Sequence, residues 1–221
     1  MFESKYSKVL TVILVIVIIA VIGLLGFLGY EYYQNYIVTK DTSDFVDNFQ
    51  GDASGDGNNT SDDNTTDIGE NPLDKLNDPN GTKSSSGKPM YKGFGVVGTM
   101  EIPATNLKYP ILEKVTRKSI ETAVAFLYGT GINQPGNSVI IGHNYRNGLF
   151  FSNNKKLNNG DKIYITDNTG KKLTYTIYNK FETTPEDTSF YQRDTGGKPE
   201  VTLSTCTDDS SARLIIFAKA E

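Results

Sequence analysis

The stretch Glu200-Val201-Thr202-Leu203-Ser204-Thr205-Cys206, followed across a polar link by Arg213-Leu214-Ile215-Ile216-Phe217-Ala218, decides how this chain is read. Both halves are short and rich in β-branched residues, so they read as strands. The link begins with Thr207-Asp208-Asp209-Ser210-Ser211. If it closes as a tight hairpin, the last residue of one strand and the first of the next, Cys206 and Arg213, lie side by side at one sheet rim. Cys206 is the only cysteine and His143 the only histidine. A lone thiol forms no internal disulfide, and the two residues cannot complete a zinc site made of Cys and His alone. Either Cys206 is a nucleophile with an imidazole partner, or two unrelated residues happen to be unique.

Outward from that pair, the region from about Tyr91 to Glu221 carries further short runs of the same kind. They are 95–102, 109–112, 138–141, 162–166 and 173–178, and Asp167-Asn168-Thr169-Gly170 reads as a hairpin turn between the last two. One helix is expected near Ser119 to Leu127, where Ile120, Ala123, Val124 and Leu127 fall at i, i+3, i+4 and i+7. Many short strands with one helix make a mainly β domain, a small barrel or a sandwich. Its length suits a single core.

The rest of the chain has other work. Val9 to Leu28 holds no charged residue, and roughly 20 apolar residues at ~1.5 Å each span a ~30 Å hydrocarbon core. A signal peptide has a shorter apolar run and a small-residue cleavage site, whereas this run ends in Gly26-Phe27-Leu28-Gly29-Tyr30. Residues 9–30 are therefore expected to be an uncleaved anchor. Lys5 and Lys8 keep residues 1–8 cytoplasmic, and Tyr30, Tyr32, Tyr33 and Tyr36 suit the outer interface. Residues 31–90 are expected to be a flexible acidic spacer, poor in apolar surface, in which Phe45 and Phe49 stand as a pair without an assigned role. Residues 91–221 would then be an extracellular domain. The net charge of −4 excludes an electrostatic case for nucleic acid binding.

His143 follows the expected strand Ser138-Val139-Ile140-Ile141, as Cys206 ends its own. A neighbouring Arg or His favours the nucleophilic thiolate, and a guanidinium fork suits an oxyanion or a peptide carbonyl. Against this, a lone cysteine is most often a small buried apolar residue, and a histidine beside glycine a hydrogen-bonded loop residue. The residues by themselves leave both readings standing.

The pattern Thr202-Leu203-Ser204-Thr205-Cys206 followed by Arg213 resembles the TLxTC…R signature of sortases, membrane-anchored cysteine transpeptidases of Gram-positive bacteria. Gly142-His143 after Val139-Ile140-Ile141, approached through Gly136-Asn137-Ser138, is similar to the family's histidine strand. Glu101-Ile102-Pro103 and Tyr109-Pro110-Ile111-Leu112 are similar to its early strands. The resemblance covers about residues 94–219 and implies an eight-stranded β-barrel with one or two short helices. It implies Cys206 as the nucleophile that forms a thioester on an LPxTG-like sorting signal, His143 as the acid and base, and Arg213 as the oxyanion or backbone holder. Thr205, Ser204 and Asn144 would bear on the substrate. The partners implied are surface proteins with a C-terminal sorting signal and an amine from a cell-wall precursor or a pilin-type lysine. No metal and no cofactor are implied, and Asp208 and Asp209 are read as a hydrated turn rather than as calcium ligands.

The class markers divide. The short Cys-to-Arg link and Gly142-His143-Asn144 are class B-like, whereas the short stretch 181–199 has class A, D or E proportions. Asp78-Pro79-Asn80 matches the class C lid only in part, and with no span after Ala220-Glu221 class C is disfavoured. Two alternatives stay open: a caspase-like peptidase with histidine before cysteine, and a non-catalytic tethered β-domain that binds wall components.

Overall fold

The computed structural model describes residues 3–53 and 89–221. Asp78-Pro79-Asn80 and the expected spacer between residues 54 and 88 lie outside the described residues. The chain divides into two compact units, Met1–Val38 and Thr39–Glu221. The first consists of most of α1 (Glu3–Ala53), and among the described residues α1 is the one helix long and apolar enough to cross a membrane.

In the second unit the strands are β1 (Met90–Tyr91), β2 (Phe94–Ile102), β3 (Leu107–Leu112), β4 (Val124–Tyr128), β5 (Gly136–Ile141), β6 (Lys162–Asp167), β7 (Lys172–Thr183), β8 (Pro199–Cys206) and β9 (Arg213–Ala220); a short helix α2 (Arg117–Thr122) precedes β4. Their order is β1-β2-β3-β4-β5-β8-β9-β7-β6, and β6 pairs back onto β2. That last pairing, Gly98↔Asp167 to Glu101↔Tyr164, closes β2–β9 into an eight-stranded barrel and leaves the two-residue β1 outside it. Closure removes the unpaired edges that an open sheet would expose. Alternate residues of each strand fill the interior, among them Met100, Ile111, Ile140, Ile163, Ile177 and Leu203, all at most 1% exposed. Each such side chain contributes about 1.5–3 kcal/mol by leaving water.

Two expectations need correction. The helix expected over 119–127 ends at Thr122. Thr116 and Ser119 form a reciprocal capping box, with Oγ1 of Thr116 accepting from the Ser119 amide at 3.0 Å. Ala123 is already extended, and Val124 and Ala125 pair in parallel with Ile111 and Leu112 of β3. The apolar spacing fitted a helix, but β-branched and aromatic residues at 124–128 take the gap between β3 and β5.

Residues 31–53, expected as spacer, are helical. Thr42, Phe45 and Val46 are buried, with the Phe45 ring edge-on to Tyr91 at 5.0 Å. Asp41 pairs with Lys92 and accepts from the Tyr91 hydroxyl, and Asp47 pairs with Lys108. Positions 42, 45, 46 and 49 form one helical stripe, which the polar average of the surrounding sequence conceals.

Two features of the topology create the site. β5 and β8 run in parallel, from Gly136↔Pro199 to Ile141↔Ser204, so their C-terminal ends reach the same rim. β8 and β9 are antiparallel, ending at Cys206↔Arg213, which brings the start of β9 to that rim as well.

Candidate active site

Cys206 is the last residue of β8 and half-buried; Arg213 is its register partner. The hairpin between them is closed by the Thr207 amide donating to the Ala212 carbonyl at 3.1 Å. Asp209 organises the turn, accepting from the hydroxyls of Thr207 at 2.7 Å and Ser211 at 2.8 Å and from the Ser211 amide. Those bonds hold its carboxyl at about 2. Asp208 faces away from the turn, accepting from Lys155 at 2.5 Å and from Asn144 Nδ2 at 2.9 Å, which keeps its carboxyl below the usual range. Both acids thus have protein partners, and among the described residues no group of three or more His, Cys, Asp or Glu is placed to hold a metal ion.

Three hydrogen bonds lace residues 142–144 to residues 204–206. The Gly142 amide donates to the Ser204 carbonyl at 3.3 Å, the Thr205 hydroxyl to the Gly142 carbonyl at 2.7 Å, and Asn144 Nδ2 to the Cys206 carbonyl at 3.0 Å. The approach requires glycine at 142, because a Cβ there would meet the Phe151 ring at 2.9 Å and Val124 Cγ1 at 3.0 Å. His143 is held between these contacts. Its ring stacks on Tyr145 at 4.7 Å and meets Phe150 edge-on at 6.3 Å. The Phe150 amide donates to the Tyr109 hydroxyl at 3.1 Å, and the Phe151 amide to the His143 carbonyl at 3.0 Å. Burial lowers the His143 pKa below its ordinary 6.5, and the Glu121 carboxylate offsets part of that.

Cys206, His143 and Arg213 line one cleft of about 370 Å³, together with Ser204 and Thr205. Its apolar wall is made by Leu127, Ile141, Phe190 and Tyr191. The thiol and the imidazole share no hydrogen bond among the described residues. Apart from one bond to the neighbouring Ala212 carbonyl, the Arg213 guanidinium has its donors unengaged there. Thr205 spends its hydroxyl on the histidine strand. Asn144 borders a second hollow of about 160 Å³, which Cys206 also lines, rather than the main cleft.

Sequence reading missed the aromatic cradle of the histidine, Tyr109, Tyr145 and Phe150, and the cleft wall Phe190-Tyr191. Tyr145, two residues beyond His143, is the one member a local pattern could have flagged. Phe150 returns from the loop after the histidine, and Tyr109, Phe190 and Tyr191 come from other segments of the fold, Tyr109 meeting Phe150 across 41 positions.

A β-barrel whose rim gathers a thiol, an imidazole and a guanidinium around one cleft has the make-up of a cysteine acyl-transfer enzyme. The chain belongs to the sortase family, a family of cysteine transpeptidases: the sortase-domain family model matches residues 100–221. It is 32% identical over 124 residues to a sortase A of Bacillus anthracis, covering 55% of this chain and 58% of that protein. It is 29% identical over 133 residues to a sortase A of Streptococcus agalactiae, covering 57% of this chain and 53% of that one. The chain therefore spans less than two thirds of the length of either relative. Among solved structures it resembles a lid mutant of sortase A from Corynebacterium diphtheriae, with a TM-score of 0.53 and 29% identity over 58% of this chain and 71% of that one. A caspase-like architecture, with helices flanking a parallel sheet, is set aside by the closed barrel.

Proposed function

We propose that this chain is a membrane-tethered transpeptidase that acts through a Cys206 thioester. The observation that carries the reading is the meeting of Cys206, Arg213 and His143 at one cleft, brought there by a parallel and an antiparallel strand pairing. Cys206 Sγ, as thiolate, attacks the carbonyl carbon of an LPxTG-like sorting signal, typically at its Thr-Gly bond. The C–N bond breaks, the leaving amine takes a proton from His143, and the acyl group stays on sulfur. An amine from a cell-wall precursor or a pilin-type lysine then attacks the thioester, His143 accepts its proton, and the thiolate departs. Arg213 holds the developing oxyanion or the peptide carbonyl. Ser204 and Thr205 bear on the bound peptide. Asn144, which holds the Cys206 carbonyl, acts through the nucleophile's own backbone.

Residues 9–30 anchor the protein, with Lys5 and Lys8 inside and the barrel outside, facing surface proteins that carry a C-terminal sorting signal. The test is mass spectrometry of products from LPxTG-, NPxTN- and SPxTG-type peptides offered with several amines. At least one peptide–amine conjugate is expected from the parent chain, and none from a folded Cys206→Ala variant. Equal conjugation by that variant would end the reading.

A further inference from the structure

Residues 184–198, between β7 and β8, supply Phe190 and Tyr191 to the cleft wall, and one half-buried side chain ties them to the barrel. Arg193 Nη1 donates to the Tyr178 hydroxyl at 2.6 Å and to Glu200 Oε2 at 2.7 Å. Its Nη2 donates to Asn137 Oδ1 at 2.9 Å and to Thr202 Oγ1 at 3.2 Å. The guanidinium lies 3.7 Å from the centroid of the Phe217 ring. These partners come from β5, β7, β8 and β9, four neighbouring strands of the barrel. Tyr178 reaches the group because it is the extra residue of a β-bulge between Ile177 and Asn179.

Asn137 passes the constraint on. Its Nδ2 donates to the carbonyls of both Phe190 and Tyr191 at 3.0 Å, while its Oδ1 accepts from Arg193 and from the Thr202 hydroxyl. The amide is thus locked in one orientation, and the two carbonyls it holds belong to the residues whose side chains wall the cleft. Arg193 and Glu200 are only 16% and 12% exposed, and Arg193 Nε is buried without a partner. A half-buried ion pair that leaves one buried donor unpaired is a poor device for stability alone. A planar fork that meets four oxygens and a ring face is a good device for fixing geometry.

We infer that Arg193 is a positioning residue for substrate: through Asn137 it presets the Phe190-Tyr191 wall, so that peptide meets a formed surface and does not have to order a loop on binding. The inference rests on the proposed function in taking a sorting-signal peptide as the cleft's ligand. Arg193 touches none of the reacting groups, so its loss should act on binding and spare chemistry.

The experiment uses the full chain in detergent micelles, with Arg193→Lys and, separately, Asn137→Ser. Arg193→Lys keeps the charge and loses the fork. Asn137→Ser leaves the ion pair with Glu200 intact and cuts the link to the loop carbonyls. In both variants the KM for an LPxTG-type peptide should rise about tenfold with kcat within twofold. A fluorescent copy of the peptide should bind about tenfold more weakly to each variant made in a Cys206→Ala background. Hydrogen exchange should speed up at residues 186–191 while β8 and β9 keep their protection. If Arg193→Lys loosens the barrel itself, Asn137→Ser decides. Unchanged KM in a parent that turns over peptide, a fall in kcat at constant KM, or unchanged exchange in the loop overturns the inference. A parent that neither binds nor converts any sorting peptide overturns the functional reading, and the peptide role of Arg193 falls with it.

Discussion

The Thr205 hydroxyl donates to the Gly142 carbonyl at 2.7 Å, joining the residue before the thiol to the residue before the imidazole. The bond lies between two others, Gly142 to Ser204 and Asn144 to Cys206, so the nucleophile and its partner are set by one short ladder. Thr205 is 4% exposed, and water cannot readily replace its hydroxyl. Thr205→Val keeps the shape and removes the donor. It should cost about 1–3 kcal/mol in chemical denaturation and lower kcat by roughly tenfold through misplacement of the pair. Thr205→Ser should recover most of both.

Arg213 faces Cys206 across the hairpin and keeps donors available at the cleft. If those donors meet the oxyanion, Arg213→Met should lower kcat by roughly 10²–10³ while KM changes little. Arg213→Lys should recover only part of the loss, because an ammonium is a point charge without the planar fork. Steady-state kinetics with a single sorting peptide distinguishes this from a binding role, in which KM would rise instead.

How much of this was legible in the sequence follows from how local each signal is. The Cys206–Arg213 pairing was readable because a polar link of hairpin length separates two strand-like runs, and the structure has that pairing in register. The Asp167–Gly170 turn was readable for the same reason, and the Asp167 side chain accepts from the Thr169 and Lys171 amides there. The parallel meeting of β5 and β8 was not, since 63 residues separate His143 from Cys206 and no periodicity reports such a crossover. β4 was hidden because Ile120, Ala123, Val124 and Leu127 satisfy a helical spacing that tertiary pairing overrides. The Arg193 cluster left no mark at all: its partners are scattered over residues 137–217, and only the folded barrel assembles them.

His143 is the chain's only histidine, so its titration can be followed by NMR of imidazole carbon-13 without assignment. Burial should hold its pKa below 6.5, and Glu121→Gln should lower it further, because that carboxylate stabilises the imidazolium. The sign for stability follows from proton counting. As pH falls from 6.5 towards the folded-state value, the unfolded chain binds a proton that the folded chain resists, so this contribution to stability declines with falling pH and rises with increasing pH across that window. A His143 pKa at or above 6.5 in the resting protein would contradict the packing against Tyr145 and Phe150.

Residues 39–49, in the stretch expected to be spacer, pack onto the folded domain. Phe45 is 8% exposed with its ring 5.0 Å from that of Tyr91, and Val46 beside it is fully buried. The same stretch makes surface ion pairs, of which Asp47–Lys108 has side chains 56% and 34% exposed. Solvent screens such a pair, whereas truncating a buried ring leaves a cavity. Phe45→Ala should therefore lower the barrel's stability by about 3 kcal/mol, and Asp47→Asn by less than about 1 kcal/mol. Both are measured on the full chain in micelles by denaturant unfolding followed through near-UV tyrosine dichroism. Equal, negligible effects from the two substitutions would mean that the segment contributes nothing to the folded domain, and that the stripe at 42, 45, 46 and 49 is incidental. A large effect confined to Phe45→Ala would establish residues 39–49 as part of the domain's core.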